Sequence, residues 1–278
     1  MQRFFRAHGL GNDYLVWEGD PAEVTPDWVR RVCDRHTGVG SDGVLVPGDT
    51  PGSAGAGAGA PESLSAPAVR IFNPDGSEAE KSGNGVRIFA LWWSINTGER
   101  EFVVQTLGGP VQVQVKRGQQ GQHGNTVRAE MGVARQAPEQ ELCGYTTWPV
   151  DLGNPHRVVL TIPDDWRTVG AQIEQAVPGR TNVQFVRVID RSRVEARIWE
   201  RGAGETTASG SSASAIARVV TTLNLCDTPL IVAMPGGDLW VDVSAIGVVT
   251  IDGAIGAIGT ITLDPEWHAG SRMALSRR

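Results

Sequence analysis

Cysteine is scarce in this sequence: Cys33, Cys143 and Cys226 are the only three, odd in number and far apart. Such a set does not make a disulfide framework and fits a reduced, cytoplasmic protein. Basic residues number 25 against 31 acidic ones and form no stripe, which argues against nucleic acid as a partner. Long apolar runs are missing too. The start, "MQRFFRAHGLGNDY", lacks the uninterrupted apolar stretch of a signal peptide. The most apolar late stretch, "AIGVVTIDGAIGAIGTITL", is broken by Asp252 and several glycines, so no membrane span is expected. His8, His36, His123 and His268 show no metal-ligand spacing. "GVGSDG" at 38–43 satisfies GxGxxG, but it follows a helical stretch and precedes a strand-like one, the reverse of a Rossmann turn. The Gly-Ala run at 55–60 lacks the Lys-Ser/Thr ending of a phosphate loop. No metal site is therefore expected, and neither glycine-rich stretch is read as a nucleotide-binding loop.

What is present is a duplication. "RIFNPDGSEAEKSG" (70–83) lies over "RIWERGAGETTASG" (197–210) with Arg, Ile, an aromatic residue, a Glu eight positions after the Arg, and a final Ser-Gly in register. Ala90 and Ala217 each follow their serine by eight residues. A looser pair is "LGNDY" at 10–14 and "LGNPH" at 152–156. The Asn-to-Ser spacing is 70 residues in the first half and 55 in the second. The difference is close to the length of "PGSAGAGAGAPESLSAP" (51–67), which reads as an inserted flexible loop. The chain thus reads as two similar halves carrying one copy each of the same local device. The expected domains are 1–134, with 264–278 returning to it, and 135–263.

Both halves share a coarse pattern of short strands. "FFRAHGLGNDYLVW", "GVLVP", "VRIFN", "EFVVQTL" and "VQVQVKR" are strand-like, several of them alternating and punctuated by Gly, Pro and Asn. "TPDWVRRVCDRH" (25–36) reads as an amphipathic helix capped by Thr25 with Pro at its first position. The stretch after Ser82 carries Val86, Ile88, Phe89, Leu91, Trp92, Trp93 and Ile95, apolar on nearly every side, and a helix of that kind must be buried. Its counterpart "SSASAIARVVTTLNL" is small and apolar. The expected class is α+β, with one central helix wrapped by a mostly antiparallel sheet or barrel, twice over in pseudo-symmetric domains.

If the halves face each other, two helices beginning Ser-Gly open on one shared cleft. Free N–H groups and the positive dipole end attract a carboxylate there, and Gly83 and Gly210 let the ligand approach the backbone. Asn73, and Glu200 with Arg201, stand just in front of the two helix segments. Asn12, Asn154, His156 and Asn182 lie at strand ends, where loops gather around clefts. Glu78 and Glu205, four residues before each serine, read as structural partners of the turn.

"FNPDGSEAEKSGNGVRIFA", "GNPH", "TNVQF" and "ERGAGETTASGSSASA", together with "HGLGNDY" and "GVGSDG", resemble the signature segments of the diaminopimelate epimerase family. The similarity runs from about residue 4 to residue 240, most of the chain. The resemblance implies two pseudo-symmetric domains with the site between them, and a cofactor-free inversion at the α-carbon of an amino acid in the lysine and peptidoglycan precursor pathway. One group removes the α-proton while another returns a proton to the opposite face. The resemblance implies Ser82, Ser209, Glu200 and His156 at the catalytic positions. It implies Asn12, Asn73, Gly83, Asn84, Asn154, Asn182, Arg201, Gly210 and Ser211 around the substrate, with Arg201 favouring a dicarboxylate. The partner is a small amino acid; a homodimer is left open.

The sequence departs from the family at the centre of that chemistry. The family's acid and base are two cysteines, and this chain has Ser82 and Ser209 in their places. A thiol ionises near pH 8.5 and lower at a helix N-terminus, whereas a hydroxyl is a far weaker acid and needs a partner to become a base. Serine is also a preferred N-cap, so capping alone accounts for both residues. Three readings stay open: an amino-acid epimerase with a serine pair, natural or introduced; a different isomerase on the same fold working through Glu200 or His156; and a non-catalytic amino-acid-binding protein.

Overall fold

The computed structural model describes residues 2–48, 67–118 and 124–267. The inserted segment, all but its last residue, and His123 and His268 lie outside the described residues.

The first half begins with a hairpin, β1 (Arg3–Gly9) and β2 (Asn12–Trp17). "FFRAHGLGNDYLVW" is therefore two strands rather than one: Leu10 and Gly11 both adopt positive φ (56° and 88°), which turns the chain between them. Helix α1 (Pro26–Cys33) follows, with Thr25 Oγ1 accepting from Trp28 N–H and Pro26 at the first position. Its crossover makes β3 (Val44–Pro47) parallel to β2. β4 (Val69–Phe72) and β5 (Glu78–Ala79) then pair antiparallel, and helix α2 (Gly83–Thr97) leads to the antiparallel run β6 (Glu101–Val104), β7 (Val111–Lys116) and β8 (Asn125–Val133).

The second half repeats this order after the short strands β9 (Arg135–Gln136) and β10 (Gln140–Leu142). β11 (Tyr145–Asp151) and β12 (Pro155–Val159) form the hairpin, and α3 (Trp166–Ala176) carries the crossover to the parallel strand β13 (Asn182–Asp190). β14 (Arg193–Glu200) and β15 (Gly204–Thr206) precede helix α4 (Gly210–Thr222). β16 (Leu230–Met234), β17 (Gly237–Val243) and β18 (Val248–Thr262) close the half. The duplication extends to register. Phe72 pairs with Glu78 and Ile71 with Ala79, while Trp199 pairs with Glu205 and Ile198 with Thr206, at the same offset along the chain. β18 stitches the halves together: it pairs with β8 and β17 along its first part and with β1 along its last.

Each central helix is buried inside its sheet. Ile88, Phe89 and Leu91 of α2 and Ile216, Val219 and Val220 of α4 are inaccessible to solvent and belong to one core spanning both halves. Burying a side chain of this size stabilises the fold by about 1.5–3 kcal/mol relative to exposure. The last turns of α2 emerge from the sheet, contrary to the reading of this helix as buried throughout. Trp92 and Trp93 are half-buried, each donating an indole N–H to a glutamate, Glu18 and Glu99, and Ile95 is 40% exposed. The helix stops at Gly98, whose φ of 84° supplies the left-handed C-cap. α4 likewise ends before Leu223 and Leu225, which are exposed. α1 and α3 pack outside the sheets on their own smaller clusters, around Phe4, Trp17 and Trp28 in one half and Trp166 and Phe185 in the other. No helix of the described residues is long and apolar enough to cross a membrane.

Candidate active site

The two Ser-Gly segments meet at the centre of the molecule. Ser82 and Ser209 are the N-caps of α2 and α4, both extended (φ −135° and −146°), and their hydroxyl oxygens accept from Gly85 N–H at 3.1 Å and Ser212 N–H at 3.4 Å. Next to them, Gly83 and Gly210 pack backbone to backbone: a Cβ on either would lie 3.0 Å from the Cα of the other. Two positive helix ends therefore abut, and the N–H groups of Gly83, Asn84, Gly210 and Ser211 have no acceptor among the described residues. Unpaired N–H groups at the positive end of a helix favour an anion.

Side-chain amides lock the two starts together. Asn84 is buried and donates both to Asn12 Oδ1 (3.1 Å) and, across the halves, to the carbonyl of Ala208 (3.3 Å), the residue before Ser209. Asn12 donates in turn to Asp42 (3.1 Å), which also accepts from Asp13 N–H and pairs with Arg35. Behind Asn84 lies Arg87, fully buried, donating to Gly83 O (3.2 Å) and Asn84 Oδ1. Burial lowers this guanidinium to about 10, with Asp252 opposing the shift. The turn at Leu10 touches the second half as well, its carbonyl accepting from Thr207 Oγ1 at 3.4 Å.

On the side of the second half, Asn182 donates to Pro155 O and accepts from Arg201 N–H, both at 3.0 Å, so it ties the ends of β12 and β14. His156 is 1% exposed, and both ring nitrogens are occupied: Nε2 faces Asn154 Oδ1 and Nδ1 accepts from Gln184, each at 3.0 Å. Desolvation, reinforced by the Arg201 charge, drops its pKa to about 3, so the ring is neutral. Gln184 also donates to Ser212 Oγ (3.1 Å) and so links His156 to the first turn of α4. Glu200 is half-buried, yet its carboxyl sits deep enough that desolvation, helped by Asp42, raises it to about 6. Arg201 is exposed, Ser211 Oγ lies 3.4 Å from Ser209 Oγ, and Asn73 uses its amide within its own turn, on Ser77 (3.0 Å). Glu78 pairs with Arg70 and Glu205 with Arg167.

No cysteine occupies this centre. Cys33 is buried beside Ser41 and raised to about 11 by desolvation, Cys143 is exposed, and Cys226 donates to Asp190 O. Four residues that sequence reading had left without a role take part in the arrangement: Tyr14, Asp42, Arg87 and Gln184. Each lies inside a quoted motif ("HGLGNDY", "GVGSDG", "SGNGVR", "TNVQF"), but only folding reveals its partner.

The family model described as "Diaminopimelate epimerase" matches residues 4–136 and 149–254. The chain belongs to the diaminopimelate epimerase family. It is 41% identical to "Diaminopimelate epimerase 2" of Nostoc sp. over 270 residues, covering 87% of this chain and 88% of that protein. It is 38% identical to the diaminopimelate epimerase of Pseudomonas fluorescens strain Pf0-1, covering 87% and 91%. Among solved structures, a "Predicted Epimerase" of Pseudomonas aeruginosa superposes with a TM-score of 0.72 at 17% identity, covering 95% of this chain and 99% of that one. The family is one of isomerases, cofactor-independent epimerases that invert an amino-acid centre, and the pseudo-symmetric α+β fold is the family's.

Proposed function

We propose that this chain is an amino-acid epimerase of the diaminopimelate type in which one of Ser82 and Ser209 removes the α-proton while the other returns a proton to the opposite face. The observation that carries the reading is the backbone contact of Gly83 with Gly210, which sets two serine-capped helix starts against one another. The four free N–H groups there receive the α-carboxylate. Glu200 and Asp42 supply negative charge for the α-ammonium group, and Arg201 is available for a distal carboxylate. These features support an amino dicarboxylate as substrate, and the relatives named diaminopimelate epimerase support diaminopimelate itself, with lysine biosynthesis as the pathway. The free cysteines support a cytoplasmic setting.

His156 acts as a fixed, neutral hydrogen-bonding element rather than a base, since both of its nitrogens are already engaged. Glu200 carries a second reading. It is a carboxyl raised to about 6, poised to exchange protons near neutral pH, and would serve as the single base of a different isomerisation.

The test is interconversion of LL- and meso-diaminopimelate, followed by chiral chromatography, for the unmodified protein and for Ser82→Ala, Ser209→Ala and Glu200→Gln. The reading expects turnover that either serine variant abolishes. Turnover that survives both serine variants and is lost in Glu200→Gln would transfer the chemistry to Glu200. Calorimetric binding of diaminopimelate without turnover would make the protein a binding protein.

A further inference from the structure

Ser82 has a partner that Ser209 lacks. Tyr14, on β2, is 6% exposed, and its phenol oxygen lies 3.2 Å from Ser82 Oγ. The ring is held against the backbone of Gly43, where a Cβ would come within 2.5 Å of Cε1, so the phenol has little freedom to point elsewhere. Ser82 is its only hydrogen-bond partner among the described residues.

We infer that Tyr14 is a positioning residue for proton transfer at Ser82: its phenol donates to Oγ, leaving the serine O–H to face the cleft and holding the oxygen as that proton departs. The inference rests on reading Ser82 as a proton-transferring group. The direction of the bond follows from satisfaction of buried donors. If Ser82 donated to the phenol oxygen, the Tyr14 O–H would be buried with no acceptor, at a cost of the order that orphaned donors incur. If Tyr14 donates, the buried phenol proton has its acceptor. Ser82 Oγ then accepts twice, from Tyr14 O–H and from Gly85 N–H at 3.1 Å, and its own proton is left without an acceptor among the described residues. Burial, together with the nearby negative charges of Glu200 and Asp42, keeps the phenol protonated and therefore a donor.

In the transfer the Oγ–H bond breaks as the Cα–H bond forms, and the bonding pair remains on Oγ. Two donors and the helix end stabilise that alkoxide, while the proton removed from the opposite face passes to Ser209 Oγ in its alkoxide form. Exchange through water then returns a proton to Ser82 and takes one from Ser209. The second half has no equivalent. His156 occupies the position matching Tyr14 in the paired "LGNDY" and "LGNPH" segments, but it is bonded to Asn154 and Gln184. Among the described residues Ser209 Oγ has only Ser212 N–H and Ser211 Oγ, both at 3.4 Å. The two serines are therefore unequal, and Ser82 is the better proton donor.

The test compares Tyr14→Phe in two backgrounds, the unmodified chain and Ser82→Cys, by the rate of α-proton exchange of diaminopimelate. A phenylalanine in the serine background should lower kcat about a hundredfold, the scale of losing one oxyanion donor, with KM little changed. In the thiol background, where the leaving pair is stable without help, the same change should cost only a few-fold. Equal losses in both backgrounds would assign Tyr14 a merely structural role and overturn the inference. A readout independent of activity is available because the chain has two tyrosines, Tyr14 and Tyr145. With ¹³Cζ-tyrosine, Ser82→Ala should move one of two resolved signals, and an unmoved pair would refute the hydrogen bond. Absence of exchange in the unmodified chain would defeat the proposed function instead, and the carbon signal would still decide the bond.

Discussion

Gly83 and Gly210 leave no room for a methyl group between the starts of α2 and α4. The new Cβ of Gly210→Ala would stand 2.8 Å from Ile251 Cδ1 as well as 3.0 Å from Gly83 Cα, and that of Gly83→Ala 3.1 Å from the same Ile251 atom. The opposing group in each pair is backbone, which yields less than a side-chain tip does. Either alanine should destabilise the fold by about 1–3 kcal/mol, the usual cost of overpacking. It should also weaken diaminopimelate binding, because the two anion-binding ends are pushed apart. Thermal unfolding and titration calorimetry on the same samples check both effects. Unchanged affinity in Gly210→Ala would show that the glycine contact does not set the site.

Arg87 separates charge from shape. Its guanidinium is fully buried and braces Asn84, while Nη1 has no partner among the described residues. Arg87→Ala leaves a cavity and should cost about 2–5 kcal/mol. Arg87→Met fills most of that space without a buried charge, so stability should largely recover, as replacement of buried ionic groups by apolar ones often allows. Ligand affinity should stay low in both variants, because Asn84 loses its brace and the positive charge behind the helix start is gone. Chemical denaturation with parallel binding assays distinguishes the two effects. Full affinity in Arg87→Met would make the arginine a packing residue only.

Two buried groups should bend the pH dependence of stability in opposite directions. His156 falls to about 3 from an ordinary value of 6.5, so the unfolded chain takes up a proton that the folded one refuses. Its contribution is full above pH 6.5 and is lost as pH falls toward 3, with a slope of at most about 1.4 kcal/mol per pH unit. Glu200 rises to about 6 from 4.5, so the folded chain holds its proton more tightly. That contribution is full below pH 4.5 and is lost as pH rises through 6. Urea unfolding from pH 4 to pH 8 should show a shallower acid-side loss in His156→Gln. In Glu200→Gln the loss between pH 4.5 and 6 should disappear. A His156→Gln curve parallel to that of the unmodified protein would contradict the assignment.

How much of this was legible beforehand depended on whether a feature was local. The Ser-Gly repeat, the flanking Arg-Ile-aromatic register and the apolar helices are properties of contiguous stretches, and the fold reproduces them down to paired residues such as Phe72–Glu78 and Trp199–Glu205. Residues whose role comes from distant partners were not legible. Asp42 stood in a glycine-rich turn that was set aside as a failed dinucleotide motif, yet it anchors Asn12. Tyr14 closed the quoted segment "LGNDY" without a role of its own until β2 carried it to Ser82, 68 residues on. Sequence pattern also misjudged where α2 leaves the core, because an all-round apolar helix does not reveal where its sheet ends. The repeated Arg-to-Glu spacing held as register but not as contact, since Arg70 pairs with Glu78 whereas Glu205 pairs with Arg167.

The central claim is that a hydroxyl pair can stand where the family resemblance places thiols and still carry out α-proton exchange. The most direct measurement follows LL-diaminopimelate by NMR in D₂O with the unmodified protein and with the Ser82→Cys/Ser209→Cys variant. The account predicts slow but enzyme-dependent α-deuteration by the serine protein, appearing in both diastereomers, and far faster exchange once both thiols are in place. A serine protein that binds the amino acid without any α-deuteration, or a double-cysteine variant that is no faster, would contradict it.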